Sequence, residues 1–118
     1  MDIDNKNIQA FVDIANGMNM MTITGLERIS DDIDGYIVEC YMTLYNNTLF
    51  SFFIEVNKEA DAKEVSDQLY LIAENLNVEY LYDLEYTDSE IDEIRKTLNV
   101  LYKTHLDKVV NKNTIETL

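Results

Sequence analysis

The sequence predicts an α+β domain: a small antiparallel sheet, a three-stranded meander with a fourth strand over 78–86, packed against helices in the order α-β-β-β-α-β-α. Three observations predict it. Two neighbouring runs, YIVECYMTLY and TLFSFFIEV, are rich in β-branched and aromatic residues and bounded by turn-forming residues. Two later segments repeat their apolar residues every three or four positions, the period of an amphipathic helix. A chain of 118 residues, 47% hydrophobic and 27% charged, suffices for one core, so a single domain over 1–118 is expected.

The elements follow in order. Ile8, Phe11, Val12 and Ala15 recur at helical spacing, with Asp4 as N-cap and Gly17 as stop. The segment MMTITGLERI then leads into a turn, SDDIDG, whose Asp34-Gly35 pair suits a hairpin needing positive φ. In the following strand Val38, Cys40, Met42 and Leu44 share one face; in the next, Phe50, Phe52, Ile54 and Val56 do. A two-residue Asn46-Asn47 loop would pair 44 with 49 and drive Ser51 and Glu55 inward. A three-residue loop, Asn46-Asn47-Thr48, pairs 44 with 50 and keeps both apolar sets together, with an asparagine in the left-handed region.

Ala62, Val65, Leu69, Ile72 and Leu76 make one apolar stripe of a helix, opened by Asp61 with Glu64 and stopped at Asn77. From Val78 to Tyr86 the side chains alternate: Val78, Tyr80, Tyr82, Leu84 and Tyr86 against Glu79, Leu81, Asp83 and Glu85, the period of a half-buried strand. A helix through Leu76, Tyr80 and Leu84 is the alternative. Thr87 with Glu90 reads as a capping box for a long last helix carrying Ile91, Ile94, Leu98, Leu101 and His105 on one face.

Charge excludes several functions. The net charge of −14 repels DNA, RNA and anionic lipid surfaces, so no direct nucleic-acid or membrane contact is expected. The longest apolar stretches, such as LFSFFIEV, fall far short of the roughly 20 residues a membrane span needs. One cysteine cannot form an internal disulfide, and the first residues, MDIDNKNIQA, are acidic where a secretory signal is basic; a cytoplasmic setting is expected. Enzyme chemistry has little to stand on. His105, the single histidine, lies on an apolar stripe and Cys40 on a core face. The stretch SDDIDGYIVECY has the polar start of a calcium loop, but its twelfth position is Tyr41, where the bidentate carboxylate belongs. No phosphate cradle, zinc spacing or nucleophile elbow occurs, so neither catalysis nor a cofactor or metal is expected.

The remaining signal is acidic. From Glu64 through Ile94 there are ten carboxylates and no basic residue, whereas Arg95, Lys96, Lys103, Lys108 and Lys112 follow with Asp107 alone against them. Asp88, Glu90, Asp92 and Glu93 sit where a last helix has its positive end, and each charge near an end contributes roughly 0.3–1 kcal/mol. That leaves Glu79, Asp83 and Glu85 unexplained. On a strand they form an outward row repeating at roughly 6.7 Å, about two base-pair rises of a duplex. Such a row suits the phosphate track of a nucleic-acid-binding protein, and tyrosines beside it suit an interface. Glu39 and Tyr41, outward on the second strand, have the same character. The expected partner-binding set is therefore Glu39, Tyr41, Glu79, Asp83, Glu85, Asp88, Glu90, Asp92 and Glu93.

A small acidic chain with this element order resembles some type II anti-CRISPR proteins, over most of its length and in acidity. The resemblance implies carboxylates placed in the duplex-binding cleft of a CRISPR effector nuclease; it rests on no motif and carries over no residue. Immunity proteins that neutralise nuclease toxins share charge and size. The expectation is a non-enzymatic inhibitor, monomer or homodimer, that binds the basic surface of a nucleic-acid enzyme as a nucleic-acid mimic. The alternatives are an immunity protein and an assembly subunit dimerising through its C-terminal helix.

Overall fold

The computed structural model describes residues 5–18, 21–28 (backbone only) and 35–111. Helix α1 spans Lys6–Gly17, strands β1, β2 and β3 span Met21–Arg28, Gly35–Thr43 and Leu49–Asn57, and helices α2, α3 and α4 span Ala62–Glu74, Val78–Asp83 and Asp88–His105. A π-helical segment, Leu106–Asn111, continues α4. The sheet order is β1-β2-β3, with both pairings antiparallel. The expected order α-β-β-β-α-β-α is overturned: 78–86 supplies a helix and no fourth strand, so among the described residues after β3 the regular elements are all helical.

The cause lies in the side chains of that segment. A strand would bury Tyr80, Tyr82 and Leu84, but these are 57%, 49% and 52% exposed, and Leu81 is the buried one. Asn77, expected to stop the preceding helix, instead starts the next: its side chain accepts from the Tyr80 N–H at 3.1 Å. At the far end the Tyr86 N–H donates to the Leu81 carbonyl and the Glu85 N–H to the Tyr82 carbonyl, the paired bonds of a Schellman closure. Glu85 stands at its left-handed position with φ 70°. A side chain there costs roughly 1–2 kcal/mol that glycine avoids. Glu85→Gly is therefore expected to raise stability by about 1 kcal/mol in urea denaturation, part of the gain being offset by the freer unfolded chain. A loss of stability would mean that the Glu85 side chain contributes more than its strain.

Two further boundaries move. The N-cap of α1 is Asn5, which accepts from the Asn7 and Ile8 N–H groups and donates to the Lys58 and Ala60 carbonyls, tying α1 to the end of β3. The expected cap, Asp4, and Asp34 of the expected turn lie outside the described residues, while Gly35 opens β2 opposite Asn57. The β2–β3 loop is odd in length, with Asn47 at φ 69°, but sits one residue earlier than expected. Leu44 N–H donates to the Thr48 carbonyl at 2.9 Å and Met42 lies opposite Phe50, so 44 faces 48. Parity is kept, and with it the core: Val38, Cys40, Met42, Leu44, Phe50, Phe52, Ile54 and Val56 are all buried.

Helices cover that sheet face. α1 buries Ile8, Phe11, Val12 and Ala15, and α4 buries Ile91, Ile94, Leu98, Leu101 and His105. The buried face of α2 is turned slightly from the expected stripe, centring on Val65, Ser66, Leu69 and Ala73 with Ile72 and Leu76 half-buried. The other sheet face, where Glu39, Tyr41, Ser51, Phe53 and Glu55 alternate with the core residues, has no described helix over it. Among the described residues no helix is long and apolar enough to cross a membrane.

Candidate protein-binding surface

The eight carboxylates and one tyrosine expected to bind a partner fall into four groups. Glu90 and Glu93 work inside the fold. Thr87 and Glu90 complete the capping box, with Thr87 N–H donating to Glu90 Oε1 at 2.8 Å and Glu90 N–H to Thr87 Oγ1 at 3.2 Å. Glu90 Oε2 also accepts from the Asn46 side-chain amide at 3.0 Å, and Glu93 accepts from the Tyr45 N–H at 3.0 Å. The start of α4 thus clamps the β2–β3 loop. These donors, the Asn46 amide first and the Thr87 N–H next, hold the Glu90 carboxyl down at about 2. Glu90→Gln, which keeps the shape but not the charge, is expected to lower the melting temperature modestly and to raise amide exchange in residues 45–47. Unchanged exchange there would leave the clamp without a role in ordering the loop.

Asp88 and Asp92 are partly engaged. The Tyr82 hydroxyl donates to Asp88, and Lys96 pairs with Asp92 at 2.9 Å across one helical turn. Tyr41 donates to Glu39 at 3.3 Å on the outer sheet face, opposite the face that carries the buried core. The structure therefore does not bring all nine together.

Glu79, Asp83 and Glu85 are exposed and make no side-chain hydrogen bond or ion pair among the described residues. The row expected on a strand becomes a helical pair, since Glu79 and Asp83 lie one turn apart, roughly 6 Å along the axis. Tyr80, Tyr82 and Leu84 are exposed beside them. On the side facing the sheet, α3 and β3 enclose a groove of about 270 Å³ lined by Phe50, Leu76, Tyr80, Leu81, Leu84 and Tyr86. Sequence reasoning placed the carboxylates but missed this groove, because a strand reading turned Tyr80 and Leu84 inward. The signal that finds it is the four-residue spacing of Leu76, Tyr80 and Leu84.

Cys40 and His105 are titratable side chains buried in the core. Cys40 is fully buried and burial, with the charge of Glu39, pushes its thiol up to about 12, so no thiolate forms near neutral pH. His105 is fully buried, packed edge-on to Phe11, and neither ring nitrogen is hydrogen-bonded among the described residues. No group of three or more histidine, cysteine, aspartate or glutamate side chains among the described residues is arranged to hold a metal ion. No protein-family model, curated protein or solved structure matches the chain.

Proposed function

We propose that this chain is a non-enzymatic binding protein, an inhibitor that occupies the basic nucleic-acid-binding surface of a nucleic-acid enzyme in the bacterial cytoplasm, such as a CRISPR effector nuclease. The observation that carries the reading is the exposed carboxylate cluster of α3 and the turn after it, which makes no ion pair among the described residues, in a chain of net charge −14. Solubility asks for a magnitude of only roughly 2–8 in a small domain. Tyrosines flanking the carboxylates supply rigid contact area with a polar tip. The last helix turns its apolar residues into its own core and exposes only Val100 among its larger aliphatic side chains, which leaves little for a helix-mediated dimer.

The test is capture of partners on the full chain followed by competition. A nucleic-acid enzyme should be retained and released by its own duplex substrate, since both occupy one basic surface. Raising salt from about 50 to about 500 mM should slow association strongly, because exposed charges are screened beyond a few ångströms. A partner that holds nucleic acid and this chain together would overturn the mimic, as would an on-rate indifferent to salt. Capture of a secreted nuclease toxin would identify an immunity protein.

A further inference from the structure

The open edge of β3 has a defined window. Leu44 N–H bonds the Thr48 carbonyl, so the hydrogen-bonded pairs of this hairpin continue through Met42 with Phe50, Cys40 with Phe52 and Val38 with Ile54. The N–H and C=O groups of residues 49, 51, 53, 55 and 57 consequently point away from β2. Two of these positions are closed by the chain itself: the Tyr86 hydroxyl donates to the Leu49 carbonyl at 2.7 Å, and Glu64 accepts from the Asn57 N–H at 3.2 Å. Between them the backbones of Ser51, Phe53 and Glu55 are exposed and make no hydrogen bond outside the sheet among the described residues. Edge strands usually carry a lysine, a proline or a bulge that discourages pairing. β3, LFSFFIEVN, carries neither lysine nor proline and pairs with β2 without a register shift.

We propose that this window receives an extended segment of the partner as an added strand, alternating apolar and basic residues. The proposal rests on the reading of the chain as a binder of basic proteins and specifies where and how it binds. Alternation follows from the two sides of the sheet. Side chains directed to the helical side, beside Phe50, meet the groove between β3 and α3, whose walls are Phe50, Leu81, Leu84 and Tyr86 and whose volume of about 270 Å³ takes an aliphatic side chain. Side chains directed to the other side stand beside Glu55 and near Glu39, which lies across from Phe53. Both carboxylates are exposed, and Phe53, 54% exposed, offers its ring face to the stem of a lysine or arginine. A second copy of this chain would bring another Glu55 and Glu39 to the same place, so charge selects a basic strand over self-pairing.

The test uses the full chain and a labelled peptide, Lys-Val-Lys-Leu-Lys-Val-Lys. Its binding should slow amide exchange at Ser51, Phe53 and Glu55 about tenfold or more, while Phe52 and Ile54, already bonded to β2, change little. The same peptide N-methylated on alternate residues cannot bond to the edge and should lose the effect, as should a glutamate-for-lysine peptide. Leu84→Lys, at an exposed position, should weaken binding about tenfold or more by placing a cation in the groove. Binding without protection at the three amides, or equal binding of the N-methylated peptide, overturns the inference. So does protection that appears without peptide as protein concentration rises, which marks a second copy. If a nucleic-acid enzyme is captured and salt-sensitive but the peptide protects nothing, the edge inference alone fails. If the peptide protects but no nucleic-acid enzyme competes, the proposed function fails and the edge site stands.

Discussion

Replacing Glu79, Asp83 and Glu85 together by lysine is expected to abolish partner binding while leaving the fold in place. All three side chains are exposed and engage no other described group, and surface substitutions of this kind usually change stability by about 0.5 kcal/mol each. Glu79 lies in the first turn of α3, so a cation there adds a small unfavourable term with the helix dipole. Lysine at 85 keeps the left-handed strain that glutamate already carries. Against a basic surface the same three cations are like charges, which cost several kcal/mol and a dissociation constant raised about a hundredfold or more. The control is Lys103→Glu with Lys108→Glu, on the exposed side of the C-terminal helical segment, where binding should survive. Circular dichroism and a thermal melt establish that each variant is folded. If the triple-lysine variant binds and the control does not, the partner sits on the C-terminal helix and α3 is only a wetted surface.

Mild acid is expected to destabilise the protein through His105. In the unfolded chain its imidazole titrates near 6.5, whereas burial lowers it to about 4 in the folded state. Above about pH 6.5 the ring is neutral in both states and contributes no pH dependence. Between about 6.5 and 4 the unfolded chain takes up a proton that the folded chain refuses, so stability falls by about 3 kcal/mol in all, and below 4 the loss stops growing. His105→Leu should remove that slope. It should also raise stability at pH 7 by about 1–2 kcal/mol, because two buried ring nitrogens without partners among the described residues carry a desolvation penalty. The many carboxylates titrate in both proteins, so the difference between the two urea-denaturation series isolates the histidine. Parallel series would show that the ring acquires a partner when protonated.

The sheet and the flanking helices were legible where a periodic apolar set meets a single buried face. Val38 to Leu44 and Phe50 to Val56 alternate without exception, and register then follows, because a slip by one residue would bury Ser51 and Glu55. The segment after α2 was misread for a related reason. Glu79 and Asp83 obey a period of two and a period of four equally well, and only the tertiary setting decides between them. What decided was Asn77 and Leu81: a cap that serves helices, and one leucine buried where a strand would have shown it to water. The candidate site inherits this history. Its charges are visible in one dimension, whereas the groove and the β3 edge exist only after α3 is folded against Phe50 and Tyr86. Glu90 and Glu93 could not be separated from the solvent-facing acids, since their partners, Asn46 and Tyr45, stand more than forty positions away.

The unguarded β3 edge also sets the conditions under which the protein remains dispersed. On the strand itself only the Glu55 carboxylate discourages copies from stacking edge to edge, and mutual repulsion between whole molecules adds to it. That repulsion vanishes as the solution approaches the isoelectric point, about 4.1, where each copy becomes neutral. The same interval brings the loss of stability at His105, so partly opened molecules and uncharged edges coincide in time. Light scattering on slow acidification should therefore show particles growing near that pH, and X-ray diffraction from them should show a cross-β spacing of roughly 4.7 Å if the edge seeds them. For a strongly acidic protein, colloidal stability at neutral pH is then a property of its charge, and the edge that is left open for a partner stays vacant only while that charge is present.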